Sequence, residues 1–338
     1  MSAEDDGTAQ DPSRAARQEA WSRYWARGAS HSCVGSYGDR YGGAIAGFWR
    51  AVFGDLPPVA RVLDVATGNG VLPRMLLDRF PGPGVQCDAV DIATVRPRWL
   101  DGLAAVDRDR IRVHGGVDAA ALPFGDRAFD LIVSQYGLEY TDLDRTLPEV
   151  LRVRAPDGGV AMVLHHAQGR PATLAAVEID HLGWLTCEGG LIAATAALVG
   201  PIAQAATPEG RAALRLDARA NAARETFNAL QGELSARGDG KDGADVLFEV
   251  RDAAMSVLAM AGREGAAAAT SALAALRGEL DASETRLRDL RAHALDAGRA
   301  QALRERLAMA LGVRVSLDEL REEGGHLMGW TMRAAPVR

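Results

Sequence analysis

The sequence predicts an α/β protein, with a doubly wound, mostly parallel sheet and a large helical insertion. Three observations predict it. Short β-branched runs alternate with helix-compatible segments between Ala60 and His165. The first run ends in an acid and a small-residue loop, Asp64-Val65-Ala66-Thr67-Gly68-Asn69-Gly70, which opens directly into the helical pattern Val71–Phe80. Residues 171 to about 312 show helical periodicity alone, and strand-like segments resume only after them.

Length and composition suit this class. A chain of 338 residues with 48% apolar and 25% charged residues buries a proper core, in one large domain or two modest ones. A net charge of −7 argues against a general nucleic-acid binder. Arginine supplies nearly all the positive charge, Lys241 being the only lysine, which reads as compositional bias and not as phosphate binding. Cys33, Cys87 and Cys187 are scattered and form no C-x-x-C pair, so neither a disulfide framework nor a zinc site is expected, and the expected compartment is the reducing cytoplasm. Gly189–Ala206 is uncharged but interrupted by Pro201 and Gln204, and reads as buried helices in preference to a membrane span.

Taken in order, residues 1–16 are small, polar and acidic and are expected to be a disordered tail. Residues 17–58 carry a run of aromatics (Trp21, Tyr24, Trp25, Tyr37, Tyr41, Phe48, Trp49 and Phe53). Tyr41, Ile45, Phe48, Trp49 and Val52 share one helical face, so this segment is expected to be helical, either packed on the main domain or acting as a lid with the His31–Asp39 loop reaching over a site. The core, 59–170, then offers strands at Val62–Val65, Val85–Ile92, Arg110–His114, Phe129–Ser134 and Val160–His165, with a helix from about Asp142 to Arg152 and a turn at Pro156–Gly159. Within 171–312, Leu273, Leu276, Leu280, Leu287, Leu290 and Ala294 keep a heptad phase that allows a homodimer contact. Residues 313–338 close the chain, with strands expected at Gly312–Leu317 and His326–Ala335 and a helical turn at Leu317–Glu322.

The glycine loop is the first chemical signal. Dinucleotide-binding domains begin similarly, but the spacing excludes their G-x-G-x-x-G: counted from Gly68 the third glycine falls on Pro73, and counted from Ala66 it falls on Val71. No G-x-x-x-x-G-K-[ST] is present. The pattern Asp64-x-Ala66-x-Gly68-x-Gly70 instead resembles the D-x-G-x-G-x-G loop of class I S-adenosylmethionine-dependent methyltransferases, with alanine in the first glycine place. Asp118-Ala-Ala-Ala-Leu-Pro-Phe124 followed by Phe129-Asp130 resembles the same family's G-D-A-x-x-L-P-F…F-D pattern, and His326–Met332 resembles its final antiparallel strand. The resemblance is to the small-molecule, ubiquinone/menaquinone-methyltransferase-like members and covers Ala60–His165 most closely.

That resemblance implies a seven-stranded Rossmann-like sheet, S-adenosyl-L-methionine as cofactor, and a helical insertion that binds the acceptor. It implies a cofactor site made of Asp64, Ala66, Thr67, Gly68, Asn69 and Gly70 in the loop, Asp91 and Ile92 after the second strand, Asp118 and Ala119 after the third, and Ser134 and Gln135 after the fourth. An acid at Asp91 is placed to accept from both ribose hydroxyls, and Asp118 to accept from the adenine amino group. A cationic ligand without phosphate tolerates three such acids, whereas a pyrophosphate would be repelled. For a base, the candidates are His165 and His166 off the fifth strand, His31 in the lid, and Tyr136 after the fourth strand; Glu139, Glu178 and His181 are weaker ones. The expected function is methyl transfer to oxygen, nitrogen or carbon of a small molecule, without nucleic-acid, membrane or metal involvement. The alternative is a catalytically silent cofactor-binding or helical interaction protein, and an NAD-linked oxidoreductase comes third.

Overall fold

The computed structural model describes residues 13–32 and 41–335. The expected tail up to residue 12 and the lid-loop residues 33–40, including Cys33 and Tyr37, lie outside the described residues. Two compact units are present: one formed by the chain up to Ala172 together with the stretch from Asp289 onward, the other by Thr173–Arg288.

The first unit holds helices α1 (Arg14–Ala26) and α2 (Gly43–Gly54), followed by strand β1 (Ala60–Val65), α3 (Val71–Arg79), β2 (Val85–Asp91), the short α4 (Ala105–Arg108), β3 (Ile111–Gly115), β4 (Phe129–Gln135), α5 (Leu143–Val153) and β5 (Arg154–Leu164). The seven-stranded sheet has the order β3-β2-β1-β4-β5-β7-β6, where β6 is Ser316–Arg321 and β7 is Leu327–Ala334. β1 to β5 pair in parallel and β7 runs antiparallel to β5. Strand order reverses between β1 and β4, which opens a crevice at their carboxyl ends.

Both faces of this sheet are covered, so its central strands carry unbroken apolar runs such as Leu131–Val133 and Val160–Leu164. Leu63, Val65, Ile132, Met162 and Leu164 pack on one face with Leu147 and Val150 of α5. Val62, Leu131, Val133, Ala161 and Val163 pack on the other with Ile45, Trp49 and Val52 of α2 and Leu72 and Leu76 of α3. The period-two alternation thus divides each strand between two cores.

The sequence expectations need four corrections. Residues 14–16 are not tail but the first turn of α1, where Ser13 Oγ accepts the Ala16 N–H at 3.3 Å. The expected turn at Pro156–Gly159 lies inside β5, where the register jumps from Phe129↔Arg154 to Leu131↔Gly159. The expected helical turn at Leu317–Glu322 is mostly β6, and Glu322–His326 closes the hairpin to β7. The helical insertion is shorter than 171–312: residues from Asp289 onward return to the first unit, and Leu303 and Leu307 of the helix Ala297–Leu311 pack in the core of the sheet.

The second unit contains α6 (Arg170–Thr186, from Thr173), α7 (Leu191–Gln204), α8 (Pro208–Leu214), α9 (Ala218–Gly238), α10 (Asp245–Glu264) and α11 (Ala266–His293, to Arg288); the helix Ala297–Leu311 is α12 of the first unit. Its core joins Leu182 and Leu185, Leu191 and Leu198, Phe227 and Leu234, and Leu247 and Val257. Leu273 and Leu280 are buried in that same cluster and Leu276 and Leu287 pack against it, while Leu290 and Ala294 of the same stripe are buried residues of the first unit. Among the described residues one run, Arg170–Gln204, is long and apolar enough to cross a membrane; it is broken into α6 and α7, and half of its most apolar window is buried.

Candidate active site

The carboxyl ends of β1, β2 and β4 together with α1 enclose a cavity of about 220 Å³. Its floor is Ala66 and Thr67 after β1, Asp91 and Ile92 at the end of β2, Asp118 and Ala119 after β3, and Gln135 and Tyr136 at the end of β4. Its cover is α1. Arg14, Arg17, Gln18, Trp21 and Trp25 all line it, and their spacing of three, one, three and four residues places them on one helical face.

Polar bonds fasten α1 to the strand ends. Arg14 Nη2 donates to Asp118 Oδ2 at 2.7 Å, and Gln18 Nε2 donates to the Ile92 carbonyl at 2.8 Å. Trp21 Nε1 donates to Asp289 Oδ2 at 3.1 Å, while Ser22 Oγ accepts the Thr94 N–H at 3.0 Å. The Trp25 ring lies on the glycine loop so closely that a Cβ on Gly68 would come within 2.5 Å of it. Gly68 has φ +55°, so glycine there avoids backbone strain as well as a clash.

The three acids expected to act together do different things. Asp91 lines the cavity; its Oδ2 accepts the Gly68 N–H and its Oδ1 the Ala93 N–H, both at 2.8 Å. Burial outweighs these two bonds and pushes its pKa up to about 6. Asp118 also lines the cavity, with Oδ1 accepting the Ala120 N–H at 2.9 Å. Partial burial pushes its pKa up, but the Ala120 N–H and the Arg14 guanidinium prevail and hold it below the ordinary carboxylate range. Asp64 does not line the cavity. It is 1% exposed behind the loop, accepts the Thr67 hydroxyl at 2.6 Å, and is pushed by burial to a pKa of about 8. Of the three carboxylates expected around one ligand, Asp91 and Asp118 line the cavity and Asp64 does not, orienting Thr67 from beneath instead.

The other loop residues are also supports. Asn69 Nδ2 donates to the carbonyls of Trp25 and Ala29 at 2.9 and 2.7 Å. Gly70 caps α3 with φ +77° against the Trp99 ring, and Ser134 Oγ accepts the Leu138 N–H at 3.1 Å. Gly68, Asn69, Gly70 and Ser134 are absent from the cavity wall. Ala66, in the first glycine place, adopts φ +59°, and Tyr136 adopts φ +51°; both face the cavity in a left-handed conformation that costs about 1–2 kcal/mol each.

The base candidates separate just as sharply. His165 is fully buried, with Nδ1 at 2.8 Å from Glu139 Oε1, its backbone N–H donating to the same oxygen at 2.8 Å, and its ring stacked on Tyr136 at 4.1 Å. His166 stacks on Trp330 at 4.4 Å, and its Nδ1 accepts the Gln168 N–H at 2.8 Å. Neither lines the cavity: β5 ends at Leu164 and both rings are engaged in packing. Glu139 is buried as the partner of His165, and His181 accepts Arg237 Nε–H at 3.0 Å within the second unit, to which Glu178 also belongs. His31 and Tyr136 do line the cavity; His31 stacks on Tyr41 at 4.0 Å, and the Tyr136 hydroxyl donates to the Met328 carbonyl at 3.0 Å.

Sequence reading missed Arg14, Arg17 and Gln18, and also Asp289. The helical spacing of 14, 17, 18, 21 and 25 was a signal that could have found the first three. Asp289 is 3% exposed, lies 3.0 Å from His293 Nδ1 and 3.6 Å from Arg17 Nε, and lines the cavity. Its bond to Trp21 spans 268 positions, and no local pattern marks it. His293, which stacks on Tyr140 at 5.4 Å, has its pKa raised by the Asp289 side chain.

Comparison with known proteins agrees with this geometry. Residues 62–158 match the model of the methyltransferase domain. The chain is 39% identical over 111 residues to the malonyl-[acyl-carrier protein] O-methyltransferase of Geobacter sulfurreducens, covering 31% of this chain and 38% of the relative. It is 34% identical over 132 residues to the ubiquinone/menaquinone biosynthesis C-methyltransferase of Xanthomonas oryzae, covering 36% and 49%. Among solved structures it is similar to the geranyl diphosphate C-methyltransferase of Streptomyces coelicolor, at 18% identity and a TM-score of 0.36, covering 44% of this chain and 65% of that one. The matches span from 38% to 56% of the length of the first curated relatives. With the acid-and-glycine loop at β1, the sheet order and the matched domain together, residues 62–158 of the first unit form a class I S-adenosylmethionine-dependent methyltransferase domain, with S-adenosylmethionine as its cofactor.

Proposed function

We propose that this chain is an enzyme that transfers the methyl group of S-adenosylmethionine to a small-molecule acceptor held in the same cavity, at an oxygen, nitrogen or carbon atom. The observation that carries the reading is the pairing of Asp91 and Asp118 along one wall of a cavity at the switch point of the sheet. The residues fit the cofactor. Asp91, anchored by two backbone N–H groups, keeps lone pairs for the ribose hydroxyls, and Asp118 is an acceptor for the adenine amino group beside the Ala119 backbone. Ala66 and Thr67 stand at the loop, with Thr67 oriented by buried Asp64.

S-adenosylmethionine supplies an already activated methyl group. The chain's part is therefore mainly positioning, which accounts for a large share of the barrier in such displacements. Trp21 and Trp25 cover the cavity and exclude water, while Tyr136, locked by His165 and the Met328 carbonyl, forms a rigid wall. His31 is the cavity-lining imidazole and is the proton acceptor this reading assigns where the acceptor atom must lose a proton. At about 220 Å³ the cavity is smaller than the roughly 300–1,000 Å³ of most ligand clefts, so α1 opens to admit its ligands.

The test supplies methyl-labelled S-adenosylmethionine and a small-metabolite extract. Label should appear in a product one methyl group heavier than its precursor, with S-adenosylhomocysteine formed alongside. Turnover by the wild type no greater than by Asp91→Ala overturns the reading.

A further inference from the structure

Gln135, the last residue of β4, is 8% exposed and borders the cavity, and the two ends of its amide are unlike. Oε1 accepts the indole N–H of Trp49, a fully buried residue of α2. An indole N–H can only donate, so it fixes which way the amide is turned. Nε2 therefore faces away from Trp49, and among the described residues it is buried with no hydrogen-bond partner. A buried polar group left unpaired is costly, and such a group beside a cavity is satisfied by a ligand that accepts.

The sheet order says which ligand. β1 lies between β2 and β4, so Gln135 stands two strand spacings, roughly 10 Å, from the strand that ends in Asp91. On the cofactor reading, on which this inference rests, Asp91 and Asp118 hold the nucleoside, and the β4 end of the cavity is where the methyl group meets its acceptor. The wall there is aromatic: Tyr136, Tyr140 and Tyr41 line it, and the Tyr136 and Tyr140 rings are steeply inclined, the first stacked on His165 at 25° and the second edge-on to it at 83°. Tyr136 is held by its stack on His165 and its bond to the Met328 carbonyl.

We propose that Gln135, which the resemblance places in the cofactor site, instead determines acceptor specificity: its Nε2 donates to an oxygen of a planar acceptor, a phenolate, an enolate or a conjugated carbonyl, lying against the Tyr136 ring. Trp49 is the positioning residue that, by holding Oε1, leaves Nε2 as the free end of the amide. The amide neither gives up nor takes a proton in this role.

The test uses the full chain saturated with S-adenosylhomocysteine, with 4-nitrophenol as the probe and its phenolate absorbance as the readout. The wild type binds the probe. Gln135→Glu keeps an acceptor for Trp49 but turns an oxygen toward the cavity, and weakens the probe by at least about tenfold while S-adenosylhomocysteine affinity changes by less than about twofold. Gln135→Met, which removes the donor without adding charge, gives the same split and serves if Gln135→Glu fails to melt cooperatively. Trp49→Phe frees the amide to rotate and weakens the probe by a smaller factor. A wild type that binds S-adenosylhomocysteine but not 4-nitrophenol overturns the proposal, as do Gln135 variants that bind the probe normally or lose both ligands equally. A wild type that fails to bind S-adenosylhomocysteine overturns the cofactor reading itself.

Discussion

Asp91 and Asp64 set the pH behaviour of this domain at the residue scale. Their folded pKa values, about 6 and about 8, lie above the unfolded value of 3.8. Between the unfolded and folded values the native state binds protons that the unfolded chain has released, so stability falls as pH rises. The slope runs from about 4 up to 6 for Asp91, continues to about 8 for Asp64, and is absent above that. Asp64→Asn, which still accepts from Thr67, should flatten the curve between pH 6 and 8; urea midpoints measured across that range check it, and an unchanged slope contradicts the burial of Asp64. Cofactor affinity has the opposite sign, because the ionised carboxylate of Asp91 is the stronger acceptor. It should rise by about tenfold between pH 5 and 7 and then level off, and Asp91→Asn should remove the dependence. Gly68→Ala places a methyl group against Trp25 in a left-handed backbone, and should cost at least about 1–2 kcal/mol with a shift of tryptophan emission toward that of exposed indole. At this scale Asp91 and Asp118 were legible because both end or follow a strand in an ordered set of motifs. The true positions of His165 and His166 were not, because alternation along a strand tells which residues face apart and not which face meets a cavity.

At the scale of elements, α1 acts as a clasp. Its attachments are single side chains meeting strand ends: Arg14 on Asp118, Gln18 on the Ile92 carbonyl, and Trp21 with Arg17 on Asp289. Asp289 is buried and serves Trp21, Arg17 and His293 together, so Asp289→Ala leaves charge uncompensated and should cost about 3–5 kcal/mol. Hydrogen exchange should quicken across residues 14–26 more than in β1 or β4, and equal protection in the variant contradicts the clasp. The N-terminal turn of α1 was illegible because the acidic, small-residue run before it outweighs one serine cap. β6 was misread for a related reason. Leu317 and Leu320 are three apart, as on a helix, but the segment is an edge strand whose Asp318, Glu319 and Arg321 blunt the open side. Edge strands bury so little that their period of two is weak.

On the scale of the whole molecule, the chain divides its apolar residues between a two-faced sheet and a separate helical core. The sheet was legible because strands buried on both faces read as continuous apolar runs bounded by turns. The helical unit was legible as helical but not in its extent: α12 has the same period as its predecessors, and only packing assigns Leu303 and Leu307 to the sheet. The heptad of α11 illustrates the same limit, since a stripe of leucines fits an internal core as well as a partner. Leu280→Ala should therefore destabilise the helical unit by about 2–5 kcal/mol with an unchanged sedimentation coefficient of the folded protein. A change of oligomeric state without loss of stability contradicts the internal assignment.

The most direct measurement is calorimetric titration of the full chain with S-adenosylmethionine at neutral pH, beside Asp91→Ala. One saturable site in the wild type, weakened at least about a hundredfold in the variant, is the expected result. No heat of binding in the wild type, or the same affinity in both proteins, contradicts the site.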